Sequence, residues 1–335
     1  MNRKKIENFD KYDMLSIYDV WPELAFKAYN KFDTSLNFKK IDDVVFAGMG
    51  GSGAIGDIFA SILSKSKIHC TVIKGYVLPK TVTKNSLVVV ISVSGNTIET
   101  STILEKAIER GCNIIAVSSG GKIRNICKKN KINFYKIKMV HSPRASFIIY
   151  LFSMLKILKN IFKFKDEDVN EAIKLLKIIR KNNNSKNLKN NHAIKISKEI
   201  NGIPLIYYPF GLQSAATRFK NSLQENAKIH TISEDIIEAC HNGIVAWEKS
   251  SLVKPILIQG TDDNEKTKER WKVIKYFFEQ KKIDYISINS TQGNIISKLV
   301  NLIYFLDYIS IYFAIENKID PTPVNSIEYI KKKLN

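Results

Sequence analysis

From residue 43 onward, short runs of β-branched and apolar residues alternate with segments of helical periodicity. This alternation constrains the fold more than any other feature, because consecutive parallel strands need a crossover segment, usually a helix, between them. Strands are predicted in the first half of the chain at Asp43–Ala47, Cys70–Lys74, Leu87–Ser92, Asn113–Ser118 and Asn133–Lys138. We therefore expect an α/β fold with a doubly wound, mainly parallel sheet flanked by helices.

The same order of elements returns in the second half. After an apolar segment that ends near Phe162 comes an amphipathic helix, Glu167–Arg180, and then Lys181–Asn191, which is almost entirely Lys, Asn and Ser. Such a stretch has little to bury, so it is expected to be a linker or an exposed loop. Further strands are predicted at Pro204–Pro209, Pro255–Gln259 and Asp284–Asn289, followed by an apolar helix from Ile295.

This recurrence predicts two similar doubly wound domains. The first is residues 1–162, with an N-terminal helical extension, and the second is residues 192–335. A helix and a linker over residues 163–191 are expected between them.

The formal net charge of +20 raises the question of a nucleic-acid partner. The lysines are scattered along the whole chain, and no basic motif interleaved with aromatic residues is present. Nucleic-acid binding is therefore not expected. A positive field attracts small anionic substrates equally well.

The remaining composition argues for a cytoplasmic protein without a metal site. The four cysteines form no C-x-x-C pair and no zinc-like spacing with histidine. The first 13 residues are polar and contain no apolar core of a signal peptide. Two apolar segments, Ala145–Phe162 and Ile295–Ile315, are interrupted by charged residues, so we expect buried core helices and no membrane span.

A glycine-rich turn, Gly48–Gly53, follows the strand Asp43–Ala47 and precedes a helical pattern. Glycine lets the backbone approach a ligand closely, and the N-terminus of a helix favours an anion. Ser52 is expected to be the N-cap of that helix. The turn lacks the lysine of a P-loop, and His69 and Cys70 stand where a dinucleotide site would need an acidic residue. A plain tight turn with a capping serine is the alternative.

A second polar turn, Ser92–Thr97, follows the apolar run Leu87–Ile91 and precedes another helical pattern. Ligands of open α/β sheets bind at the carboxyl ends of strands. Hydroxyl groups and backbone amides crowded at that place suit a phosphate dianion, although a bland Ser/Asn/Gly loop is the alternative.

The two turns, G-G-S-G and S-x-S-G-N-T-x-E-T, together resemble the sugar isomerase (SIS) domain. Later segments narrow this resemblance to the bifunctional phosphoglucose/phosphomannose isomerases, and the match covers nearly the whole chain. These segments are His141–Ala145, Gln224–Lys228, Cys240–Trp247 and Asp320–Val324.

The resemblance implies two SIS domains in a homodimer that interconverts glucose 6-phosphate and mannose 6-phosphate with fructose 6-phosphate, without a cofactor. It implies a phosphate site formed by Gly51, Ser52, Ser92, Ser94 and Thr97. By the same resemblance Arg144 stabilises the enediolate, Glu225 transfers the proton, His241 assists ring opening across the subunit boundary, and Lys331 lies near the ring oxygen. Lys331 is followed directly by Lys332 and Lys333.

Elementary chemistry agrees with three of these roles. A single carboxylate can move a hydrogen between adjacent carbons on one face of a cis-enediol, as Glu225 would. A fixed cation such as Arg144 stabilises charge on the intermediate's oxygen, and a group that titrates near neutrality, such as His241, suits ring opening. Asn242 could orient that ring.

Each residue also has an ordinary alternative. Glu225 could be a solvated helix carboxylate that pairs with Lys228, Arg144 could be a surface arginine, and His241 could be a core or surface histidine. The competing function is a non-catalytic sugar-phosphate sensor, which needs the two turns but not these three side chains. The chain leaves no room before residue 43 for the DNA-binding domain of SIS regulators, and it lacks the glutaminase domain of aminotransferring SIS enzymes.

Overall fold

The computed structural model describes residues 1–32, 36, 38 and 40–334, which fall into two units. The first unit is Val20–Lys174, and the second is Met1–Asp19 together with Leu175–Asn335. Residues 1–19 therefore fall in the same unit as the second half of the chain, whereas the sequence analysis grouped residues 1–162 together. The predicted domain limits stay predictions.

The helices are numbered in chain order. They are α1 (Arg3–Phe9), α2 (Met14–Asp19), α3 (Trp21–Tyr29), α4 (Gly51–Leu63), α5 (Ile98–Glu109), α6 (Gly121–Lys129), α7 (Phe147–Ile157), α8 (Lys159–Phe162), α9 (Asp166–Asn183), α10 (His192–Glu199), α11 (Gln213–Ala227), α12 (Ile236–Ala239), α13 (Glu265–Gln280), α14 (Ile295–Glu316) and α15 (Asn325–Leu334). A 3₁₀ helix spans Gly243–Glu248.

The first unit is built on a five-stranded parallel sheet. Its strands are β1 (Asp43–Ala47), β2 (His69–Ile73), β3 (Leu87–Ser92), β4 (Asn113–Ser118) and β5 (Asn133–Lys136). They stand in the order β2-β1-β3-β4-β5, and every neighbouring pair is parallel. The winding direction reverses between β1 and β3, and ligands of open α/β sheets bind outside the carboxyl ends at such a reversal.

Helix α4 packs closely on this sheet. A Cβ at Gly56 would lie 2.9 Å from the Phe46 Cβ and 3.0 Å from a Val72 methyl carbon, so only glycine allows the approach. The rings of Phe46 and Phe59 stack with centroids 4.9 Å apart, and both are fully buried. Each such ring stabilises the fold by about 1.5–3 kcal/mol relative to its exposed state. The start of α4 is thereby fixed above the end of β1.

The second unit contains a four-stranded parallel sheet in the order β7-β6-β8-β9. The strands are β6 (Ile203–Tyr208), β7 (Ile232–Asp235), β8 (Val253–Gln259) and β9 (Ile286–Asn289). The prediction of two doubly wound α/β domains is confirmed, but it omitted β7. That strand is short and reads Ile-Ser-Glu-Asp, so it lacks the apolar run by which the others were recognised.

Helix α14 is the one described helix long and apolar enough to cross a membrane, and 89% of its most apolar 18-residue window is buried inside the protein. The rings of Tyr308 and Tyr312 stack within this buried part, with centroids 6.0 Å apart. The other apolar segment is the 11-residue helix α7. Both segments are core helices, as the sequence predicts.

The segment Lys181–Asn191, predicted to be a linker or an exposed loop, is mostly exposed or partly exposed but contains two buried asparagines. Helix α9 continues to Asn183, and the side chains of Asn183 and Asn191 are buried. The Asn183 carboxamide oxygen accepts the Ala193 amide at 3.0 Å, and the Tyr312 hydroxyl donates to the Asn183 carbonyl at 2.8 Å. Asparagine side chains supply the hydrogen bonds that a polar segment needs to be buried.

Candidate functional site

The glycine-rich turn after β1 leads into α4 through Gly50, which is the N-cap of the helix. Gly50 has φ +53° and ψ −125°, a conformation that only glycine adopts easily. The helix therefore begins at Gly51, and the prediction that Ser52 is the N-cap is wrong. Ser52 lies inside the first turn of α4 and is 7% exposed.

The two polar turns meet at the point where the winding reverses. The Ser52 hydroxyl accepts the Val93 amide at 3.4 Å, so the first turn of α4 contacts the loop that follows β3. The carboxyl ends of β1 and β3 are neighbours in the sheet. The structure thus brings Ser52 and the loop Ser92–Thr97 to the same edge of the sheet.

The loop Ser92–Thr97 is held together from within. The buried Ser92 hydroxyl accepts the Gly95 amide at 3.0 Å and lies 2.9 Å from the Thr97 hydroxyl. The Ser94 hydroxyl accepts the Asn96 amide at 3.3 Å, and Ser94 is exposed. Ser94 and the partly exposed Thr97 can meet a ligand, whereas the buried Ser92 hydroxyl bonds within the loop, and its predicted contact with the phosphate stays a prediction.

A third loop, which the sequence did not single out, supports this one from the end of β4. Gly95 has φ +75°, and a Cβ there would lie 1.9 Å from the Gly120 carbonyl oxygen. The Ser119 hydroxyl donates to the Val93 carbonyl at 2.7 Å, and Asn96 accepts the Lys122 amide at 3.0 Å. The sequence Ser118-Ser119-Gly120-Gly121, at the end of a predicted strand, could have identified this loop.

Arg144 lies in a tight turn that precedes α7, and its side chain is 4% exposed. The Ser146 amide donates to the Ser142 carbonyl at 2.9 Å within this turn, and the Ser146 hydroxyl accepts the Val140 amide at 2.8 Å. One turn into α7, the Tyr150 hydroxyl is within 3.4 Å of the Val93 carbonyl. The helix that follows the arginine turn therefore also contacts the second polar loop.

Glu225 lies near the end of α11 in the second unit, and it is partly exposed. The neighbouring Asn226 is fully buried and donates to the Ser310 hydroxyl at 2.8 Å, which fixes the rotation of the helix. Lys228 ends the helix with φ +59°. Its ammonium donates to the Glu225 carbonyl at 2.9 Å and to the Asp320 carbonyl at 2.8 Å. Lys228 thus connects the segment Gln224–Lys228 with the segment Asp320–Val324.

A buried ion pair joins the first half of α11 to α14. Arg218 contacts Asp307 of α14 at 2.8 Å, and the two side chains are 3% and 0% exposed. The other carboxylate oxygen accepts the Ser222 hydroxyl at 2.6 Å. Burial lowers the pKa of Arg218, but Asp307, Tyr18 and Glu225 together raise it above its ordinary value. The negative charges around Arg218 therefore keep the guanidinium ionised.

His241 follows the short helix α12 and is exposed. Asp235 caps that helix by accepting the Ile237 amide at 2.8 Å. The Glu238 carbonyl accepts the His241 amide at 2.8 Å, and the Glu238 carboxylate accepts the Asn242 carboxamide at 2.9 Å. Asn242 is therefore engaged by Glu238, which differs from its expected role of orienting the imidazole.

Lys331 lies on α15, in which every described side chain from Lys331 to Leu334 is exposed. The Lys333 ammonium lies 6.0 Å from the centre of the Tyr329 ring. These contacts do not distinguish Lys331 from its two neighbours as a site residue, so its assignment stays a prediction.

The carboxyl edge of the second sheet differs from that of the first. The loop after β8 carries Asp262 and Asp263. Asp263 accepts the Gly260 amide at 3.0 Å and the Trp271 indole at 3.1 Å, while Asp262 forms an ion pair with Lys298. Neither polar turn of the first sheet contains a carboxylate, so those turns suit an anion better than this loop does.

Comparison with known proteins identifies the family. Residues 37–158 match the SIS domain, and residues 189–334 match the bacterial phospho-glucose isomerase C-terminal SIS domain. A hypothetical protein from Thermus thermophilus has a similar fold, with a TM-score of 0.74 and 11% identity over 99% of this chain and 92% of that one.

Two relatives with curated names match nearly end to end. The bifunctional phosphoglucose/phosphomannose isomerase of Caldicellulosiruptor bescii is 31% identical over 95% of this chain and 98% of its own length. The enzyme of the same name from Thermoplasma acidophilum is 30% identical over 91% and 94%. The chain therefore belongs to the family of bifunctional phosphoglucose/phosphomannose isomerases.

Proposed function

We propose that this protein is an aldose–ketose isomerase that interconverts glucose 6-phosphate and mannose 6-phosphate with fructose 6-phosphate. The observation that carries the proposal is the contact between the Ser52 hydroxyl and the Val93 amide, which joins two polar turns at the winding reversal of the first sheet. Family membership supplies the reaction class.

The phosphate binds at these two turns. Gly51 offers a backbone amide in the first turn of α4, Ser52 and Ser94 offer hydroxyl groups, and Thr97 adds another at the start of α5. Ser92 shapes the loop through its bonds to Gly95 and Thr97. The N-termini of both helices favour the negative charge of the phosphate.

The isomerisation proceeds through a cis-enediol. The Glu225 carboxylate takes the proton from one of the two carbons, C1 or C2, and returns it to the other. The Arg144 guanidinium stabilises the negative charge that develops on the intermediate's oxygen. His241 and Lys331 assist the opening of the sugar ring, with His241 as the group that donates and accepts the proton.

The proposed mechanism requires no metal and no nucleotide. Among residues 1–32, 36, 38 and 40–334, no group of three or more His, Cys, Asp or Glu side chains could hold a metal ion. We further propose a cytoplasmic homodimer in which His241 acts across the subunit boundary, with a place in glycolysis and gluconeogenesis. The exposure of the His241 loop, where Val245 is 58% exposed, is consistent with a contact there.

The test is a coupled assay with each aldohexose phosphate, run before and after exhaustive treatment with a chelator. We expect interconversion of both with fructose 6-phosphate, and we expect the rate to survive chelation. A protein that binds hexose phosphates but turns over none of them would instead be the non-catalytic sensor. Loss of all activity on chelation would refute the metal-independent mechanism.

A further inference from the structure

The two polar turns lack a cationic side chain of their own. Neither Gly48–Gly53 nor Ser92–Thr97 contains Lys or Arg. A phosphate monoester carries a charge of about −1.5 to −2 at pH 7. Each helix N-terminus contributes only about half a positive charge. A phosphate bound there needs a further positive group.

Lys74 lies at the same edge of the sheet. It directly follows β2, the parallel neighbour of β1, so it emerges beside the glycine-rich turn. The Lys74 Cε lies 3.2 Å from the position that a Cβ on Gly53 would occupy. A Cβ at position 53 would meet the Gly48 carbonyl oxygen first, at 2.7 Å, and the lysine stem lies next to the same place, against the first turn of α4.

A carboxylate on α4 holds this lysine in place. The Lys74 ammonium donates to Asp57 at 2.6 Å, and the two side chains are 41% and 21% exposed. Asp57 is one helical turn beyond Gly53. An ammonium group has three N–H donors, and this ion pair uses one.

The chain after Lys74 continues to α5, the helix that follows the second polar loop. The Tyr76 carbonyl accepts the Lys106 ammonium of α5 at 2.7 Å. Loss of hydration and then the Glu99 carboxylate, in the first turn of α5, raise the pKa of the Tyr76 hydroxyl. Lys74 thus contacts the first turn of α4, whereas Tyr76 bonds to the last turn of α5 and interacts with Glu99 in its first turn.

We propose that Lys74 is a further ligand of the substrate phosphate, with its stem lying over the first turn of α4 and its ammonium held by Asp57. This inference rests on the proposed function, since it assigns a counter-charge to the same phosphate site.

The experiment compares Lys74→Met and Lys74→Arg with a matched control, Lys40→Met. Lys40 also pairs with an aspartate, Asp42, but that pair lies at the amino end of β1, on the opposite edge of the sheet. The KM for fructose 6-phosphate and the inhibition constant of inorganic phosphate are measured for each protein. Calorimetric titration with inorganic phosphate gives its affinity without turnover.

We expect Lys74→Met to raise both constants about tenfold, the scale of one charge-assisted hydrogen bond. Lys74→Arg should keep both constants close to those of the wild type, and Lys40→Met should leave them unchanged. Unchanged phosphate affinity in Lys74→Met, with native circular dichroism, would overturn the proposal. If the wild type binds phosphate through Lys74 but isomerises no hexose phosphate, the proposed function fails while this assignment stands.

Discussion

The Ser92 hydroxyl lies 2.9 Å from the Thr97 hydroxyl, so the two ends of the second polar loop are joined directly. The same Ser92 oxygen accepts the Gly95 amide at 3.0 Å. The loop is therefore ordered by its own residues and is arranged before a phosphate arrives. Preorganisation of this kind reduces the entropy lost on binding.

Replacing Ser92 with alanine removes both of these hydrogen bonds. At about 1 kcal/mol each, their loss should raise the KM for fructose 6-phosphate roughly 10- to 30-fold. The matched control is Ser101→Ala on α5, because Ser101 is equally buried and its hydroxyl donates within its own helix, to the Ile98 carbonyl. Steady-state kinetics of both variants check the prediction, and equal KM values would contradict it.

Alanine substitutions at two glycines of similar φ distinguish the cost of backbone strain from the cost of steric overlap. Gly95 has φ +75° and a Cβ there would overlap the Gly120 carbonyl, whereas Gly111 has φ +67° and a Cβ there would meet nothing within 4 Å. Gly111→Ala should cost about 1–2 kcal/mol of stability and leave KM unchanged. Gly95→Ala should cost more and weaken phosphate binding, because the loop must move. Denaturant unfolding and phosphate titration of both variants measure the difference.

The role of Glu225 as the proton-transferring base has a kinetic test. Glu225→Gln keeps the size of the side chain but removes the carboxylate, so we expect kcat to fall roughly 10²- to 10⁴-fold or more. Phosphate affinity should persist, and incorporation of solvent deuterium into the sugar should fall with kcat. Glu269→Gln, at an exposed position of α13, is the control. Unchanged turnover in Glu225→Gln would identify another base.

Three strands of the first sheet, β1, β3 and β4, were predictable because they are almost entirely buried and therefore apolar, and they have the predicted limits. The edge strands β2 and β5 are only partly buried. The structure of the polar segments was harder to predict. Composition predicted a linker or an exposed loop over Lys181–Asn191, but it does not reveal that Asn183 and Asn191 within that segment bond to nearby backbone and are buried.

The candidate site also has features that the sequence could predict and features that it could not. The two polar turns could be located because each directly follows a recognisable strand. The contact of Ser52 with Val93 could not, since it depends on which strands are neighbours in the sheet. The roles of Arg144, Glu225 and His241 came from family resemblance, because such side chains are mostly ordinary surface or paired groups when judged singly.

The buried pair of Arg218 and Asp307 predicts non-additive stability changes. Arg218→Met alone leaves a fully buried carboxylate without its cation, so it should destabilise the protein by about 3–5 kcal/mol. Adding Asp307→Leu should recover much of that loss, because removing both charges of a buried pair is often close to neutral. Urea unfolding of the wild type, both single variants and the double variant measures the coupling energy. Additive effects would contradict the prediction.

The pH dependence of stability has a predictable contribution from Glu234, at the end of β7. Its carboxylate lies against Gly243, where a Cβ would be 2.7 Å from one of its oxygens. Burial, and then the Glu238 carboxylate, raise the pKa of Glu234 above its ordinary value. The folded state therefore binds this proton more tightly than the unfolded state does, and stability falls as pH rises through the raised pKa.

Glu234→Gln cannot ionise and so avoids this loss. We expect the variant to be more stable than the wild type at about pH 7.5, and the difference to vanish at about pH 3.5, where the wild-type carboxyl is protonated in both states. Urea unfolding of both proteins at the two pH values measures it. A variant less stable than the wild type at the higher pH would mean that the ionised carboxylate makes a favourable contact that outweighs its burial.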